Sequence, residues 1–76
     1  METKKRIAID VINDKIVAGD HFSYDSVCKE IVEKGGILRV SIGVTIGMYL
    51  KNLVRLKILS FDQKEGIFWS ETGKIF

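Results

Sequence analysis

Seventy-six residues, 46% apolar and 29% charged, make one small domain (residues 1–76) with a thin margin of core and little room for an enclosed active site. Proline is absent and no apolar run approaches the roughly 20 residues of a membrane span, which argues against a disordered linker or a transmembrane chain. The formal net charge of +2 is unevenly spread: residues 1–36 carry six basic and seven acidic side chains (−1), residues 37–76 six basic and three acidic (+3).

The spacing predicts a first helix over about 3–18. Ile9, Ile12 and Ile16 share a face that Ile7, Ala8 and Val11 widen, Thr3 is placed to cap it, and Gly19 is placed to end it. Lys4, Lys5 and Arg6 form a basic cluster at its start, either an exposed first turn or a contact to nucleic-acid backbone. After the link Asp20-His21-Phe22, a second helix is expected over about 23–34. Ser23 can cap it, Asp25 suits the positive end of its dipole, and Phe22 with Val27 fits a hydrophobic staple. Val27, Cys28, Ile31 and Val32 give its apolar face, and Gly35-Gly36 the stop. Ile37-Leu38-Arg39-Val40 reads as a short strand or as a turn onto the next helix.

The third helix is expected over about 41–57. Ser41 or Thr45 can cap it; the Ser41 start is preferred because Ile42 then continues a buried row with Ile46, Leu50 and Leu53. A second row at steps of four reads Gly43, Gly47, Lys51, Arg55. No acidic residue occurs between Glu33 and Asp62, whereas Lys34, Arg39, Lys51, Arg55 and Lys57 all fall in that window. A helix with one greasy face and an acid-free outer face suits a polyanion. From about 58 to 70 the apolar arms Ile58-Leu59-Ser60-Phe61 and Gly66-Ile67-Phe68-Trp69 flank a polar tip, a β-hairpin pattern. Ile75 or Phe76 can fold back onto the core.

The order helix, helix, helix, hairpin, with the strings FSYDSVCKEI, SIGVTIGMYLKNLVRLKIL and GIFWS, resembles the winged helix-turn-helix domains of small bacterial and phage regulators. The resemblance spans nearly the whole chain and is one of pattern. It implies an α+β fold of three helices plus a C-terminal β-hairpin wing. Lys57 stands where many members of the family have glycine, and the segment from Gly35 to Val40 is longer than the family's tight turn. The resemblance further implies that helix 41–57 enters the major groove of double-stranded DNA while the wing, around 62–66, lies along the backbone or in a minor groove.

The chemistry of individual residues fits that expectation. Gly43 and Gly47 would let backbone approach closely, and Ser41 and Thr45 can donate hydroxyl hydrogen bonds. Lys51, Asn52 and Arg55 are the long polar side chains, Asn suiting adenine and Arg guanine. Arg39 and Lys64 are the candidate backbone clamps. The blander readings are glycines that permit helix packing, a solvated Lys51–Arg55 face, a soluble loop tip at Lys64, and Met48 and Tyr49 as core or core edge. No enzyme, metal or cofactor is expected: His21 and Cys28 are each the only residue of their type, and no P-loop glycine signature precedes a helix. One cysteine and a charged N-terminus suggest a cytoplasmic protein. The expected function is a sequence-specific transcriptional regulator, acting as a homodimer or beside a second regulatory protein. The alternative is a winged-helix module for protein–protein interaction that does not bind DNA.

Overall fold

The computed structural model describes residues 3–73, with side chains from Arg6 onward. Helix α1 runs Thr3–Ala18 and closes through backbone hydrogen bonds from Gly19 N–H to Ile16 and from Asp20 N–H to Lys15. The expectations placed on the side chains of Thr3, Lys4 and Lys5, and on Ile75 and Phe76, lie outside the described residues. Phe22, read from sequence as the end of a link, forms with Ser23 a two-residue strand, β1, and Ser23 then caps helix α2, Tyr24–Glu33. The cap is a reciprocal box: Ser26 N–H donates to Ser23 Oγ and Ser23 N–H to Ser26 Oγ, both at 3.1 Å. Phe22 and Val27 are both buried, as the staple requires.

Between α2 and the next helix the chain makes a small hairpin, β2 (Arg39–Ser41) against β3 (Val44–Thr45). Of the two sequence readings for 37–40, the strand holds from Arg39. Gly36 allows the chain to enter it close to α1, since a Cβ there would stand 2.9 Å from the Cγ2 atoms of both Ile31 and Ile7.

Helix α3 is shorter than expected, Ile46–Arg55, and its cap is Thr45, whose Oγ1 accepts from Met48 N–H at 3.3 Å. The Ser41 start fails because Gly43 takes φ +76°, a turn conformation that the β2–β3 hairpin needs and a helix cannot contain. Ile42 therefore leaves the buried row and is 88% exposed. Ile46, Leu50 and Leu53 remain as the inward face.

The end of α3 is a Schellman motif, with Lys57 N–H donating to Val54 and Ile58 N–H to Leu53. Lys57 occupies its left-handed position at φ +64°, a conformation that glycine adopts without strain. Strands β4 (Ser60–Asp62) and β5 (Ile67–Trp69) follow, and β5 pairs antiparallel with both β4 and β1, so the sheet order is β1-β5-β4. The described residues thus form a small α+β domain of three helices and antiparallel strands.

The core draws on every layer: Ala8, Val11, Ile12 and Ile16 from α1, Val27 and Ile31 from α2, Ile46, Leu50 and Leu53 from α3, and Phe22, Val40, Leu59 and Phe68 from strands and their flanks. Val32, assigned by spacing to the apolar face of α2, is more than half exposed because it lies one residue off the line that meets the core. A salt bridge from Lys15 Nζ to Glu30 Oε1, 2.8 Å, joins α1 to α2, and Lys34 reaches the other oxygen of Glu30 at 3.4 Å. Among the described residues no helix is long and apolar enough to cross a membrane.

Candidate nucleic-acid interface

The residues singled out from sequence fall into three groups along one continuous stretch. Arg39, Ser41, Gly43 and Thr45 belong to the β2–β3 hairpin, not to the helix, and all four are exposed. Arg39 sits opposite Thr45 in the pairing and Ser41 opposite Val44. Thr45 has two structural duties, closing β3 and capping α3, so its hydroxyl oxygen is engaged by Met48 N–H. Gly47, Lys51, Asn52 and Arg55 lie on α3, and Lys64 in the turn of the β4–β5 hairpin.

On α3 the inward row forces the remaining positions out. Lys51, Asn52 and Arg55 are exposed, and Arg55 Nη2 donates to Asn52 Oδ1 at 3.2 Å, one turn back. Among the described residues none of Arg39, Lys51, Arg55, Lys57 and Lys64 stands in an ion pair; Glu30, the acid that does pair, takes Lys15 and Lys34. The positive charge of the helix and the hairpin before it is thus unneutralised by its own fold. Met48, expected at the core or its edge, is half exposed, whereas Tyr49 is half-buried and burial pushes its phenol above the ordinary value.

Gly47 departs from expectation. It is half-buried, and a Cβ built there would lie 3.5 Å from Tyr24 Cε1, an ordinary contact. It therefore faces a neighbouring side chain rather than open solvent, and its lack of a side chain is not demanded by packing. Gly47 and Lys51 line a groove of ≈ 320 Å³ that runs between the start of α2 and the C-terminal hairpin. Its other walls are Tyr24, Leu50, Phe61, Gly66 and Phe68. Lys51 is the one charged residue on it, and the rest is apolar or glycine.

The aromatic wall follows from sheet register. Phe22, Phe68 and Phe61 are cross-strand neighbours, with ring centroids 5.7 Å and 4.6 Å apart. The row steps outward, from buried Phe22 and Phe68 to exposed Phe61. Sequence reasoning missed Tyr24 as part of a site. The available signal was an aromatic residue directly after a helix cap, off the Val27–Ile31 line. The Cys28 side chain one turn on, chiefly through a hydrogen bond, raises the Tyr24 phenol, and burial raises the Cys28 thiol. Neither is poised as a nucleophile.

His21 stacks on Trp69 at 5.1 Å, on the β1–β5 side. Among the described residues no three His, Cys, Asp or Glu side chains gather as a metal site would need. The hairpin turn at Lys64 is held by its neighbour: Asp62 Oδ1 accepts from Lys64 N–H at 2.9 Å and Glu65 N–H at 3.3 Å, leaving the Lys64 side chain outward.

Comparison with protein-family models, with curated proteins and with solved structures finds no match for this chain.

Proposed function

We propose that this is a winged-helix DNA-binding protein that regulates transcription. The order of three helices followed by an antiparallel hairpin supports that fold, with the β2–β3 hairpin standing where a helix-turn-helix has its tight turn. The observation that carries the reading is the run of exposed, unpaired cations in an acid-free stretch: Arg39 on the hairpin, Lys51 and Arg55 on α3, and Lys57 just after it. Helix α3 presents Met48, Lys51, Asn52 and Arg55 to the major groove, suited to a thymine methyl, backbone phosphate, adenine and guanine respectively. Lys64 on the wing reaches a second backbone segment. One such module has a modest footprint, so binding as a homodimer or beside a second protein suits it.

The test is a titration of random duplex DNA at increasing salt. With about four phosphate contacts the log–log slope should be about −4; Lys51→Ala should flatten it by about 1, and Arg55→Ala should weaken binding with the slope little changed. Affinity insensitive to salt, or unchanged in both variants, sinks the reading.

The groove favours a second reading, a docking platform that receives an apolar side chain from a partner helix or strand, with a carboxylate for Lys51. Of the hairpin aromatics Phe61, Phe68 and Trp69, only Phe61 is exposed; Phe68 is buried and Trp69 half-buried. A stable oligomer on sizing, with no shift of duplex DNA, would favour docking.

A further inference from the structure

The turn between β2 and β3 puts an isoleucine where turns ordinarily carry glycine or a small polar residue. Ser41-Ile42-Gly43-Val44 needs only the positive φ at Gly43; nothing about its geometry asks for an apolar side chain at position 42. Ile42 is nevertheless 88% exposed, the most exposed large apolar residue among those described. It does not belong to the groove, and it contributes nothing to the core.

The exposed residues of the hairpin beside it are polar, cationic or glycine. Arg39 and Ser41 on β2 and Thr45 on β3 are exposed, Gly43 has open space around it, and no acid occurs between Glu33 and Asp62. A protein partner would need a continuous apolar patch around the anchor, but the exposed apolar side chains nearest in sequence, Ile37 and Leu38, lie beyond Arg39, and Val44 is half-buried. A duplex needs the reverse: cations for phosphates and one apolar side chain able to enter a base step. The position is also suited to delivery. Thr45, three residues on, caps α3, so Ile42 stands within about 10 Å of chain from the first turn of that helix.

We propose that Ile42 is an apolar wedge that enters a base step of duplex DNA and kinks it, with Arg39 holding the adjacent backbone. The inference rests on the DNA-binding reading above and adds to it a deformation of the bound duplex. Specificity then comes partly from how easily a site bends, with flexible pyrimidine–purine steps preferred.

The experiment uses the whole chain and a duplex of about 30 base pairs with central TA and CA steps, dye-labelled at both ends. Anisotropy reads affinity and energy transfer reads bending. Wild type should bind and shorten the end-to-end distance. Ile42→Ala should keep its unfolding midpoint, bind no more than about tenfold more weakly, and leave the duplex straight, while Ile42→Phe should restore the bend. A wild type that binds without bending, or an Ile42→Ala that bends as well as wild type, overturns the wedge and leaves DNA binding standing. A wild type that does not bind duplex at low salt removes both. A dimer that Ile42→Ala converts to monomer on sizing would give the residue to a second copy of the chain and overturn the wedge.

Discussion

The β4–β5 hairpin and the β2–β3 hairpin flank α3, one after it and one before it, and they are held in different ways. In the later hairpin β5 is a central strand, paired on both sides, and Phe68 lies between the rings of Phe22 and Phe61. Its turn is closed by Asp62, and its tip carries acids beside Lys64. The earlier hairpin has two strands only, a single buried side chain, Val40, and a tip without acids. The later hairpin is secured by strand pairing and its row of phenylalanines, whereas in the earlier one β2 packs against α1 and only the tip stands clear. Sheet pairing holds the one along its length, and packing on a helix holds the other at its base.

The sharpest way to break that contrast is to remove each anchor in turn. Phe68→Ala should lower stability by about 3–5 kcal/mol in urea unfolding, because the ring is packed on two sides. Val40→Ala should cost about 1–2 kcal/mol. Equal losses would mean that the two hairpins are integrated alike.

A smaller effect tests the approach to the later hairpin. Lys57→Gly should stabilise the protein by roughly 0.5–1 kcal/mol, relieving the left-handed backbone at φ +64°, while reducing the salt dependence of DNA binding if that cation touches phosphate. A loss of stability would show that the Lys57 side chain packs usefully.

The smallest effect is a control that touches neither hairpin. Lys15, chiefly by its hydrogen bond, holds the Glu30 carboxyl below its ordinary value of 4.5. A depressed carboxyl contributes stability above the unfolded value and loses it as the pH falls through the folded one. Wild type should therefore lose a small increment below about pH 4.5, and Glu30→Gln should lack that part of the acid limb in pH-dependent unfolding. Both hairpins should respond in step.

How much of this was legible in the chain depended on whether the signal was local. The α2 start could be read because Ser23, Phe22 and Val27 each satisfy a rule within five residues. The later hairpin could be read because its arms alternate and its tip is polar. The start of α3 could not. Ser41 and Thr45 are equally good caps, Ile42 and Ile46 have helical spacing, and the β2–β3 hairpin is too short for alternation to show. Only the pairing of Arg39 with Thr45, a tertiary fact, decides between them. The candidate contacts were legible as residue types, but their grouping was not. The placement of Gly47 against Tyr24, and the groove they share with Phe61, depends on how α2 and the sheet meet α3.

Thr45 finishes one element and begins the next, and this leaves no slack between them. The hairpin is joined to the helix with no flexible spacer between them, so the apex of the loop keeps a fixed bearing on the axis of α3.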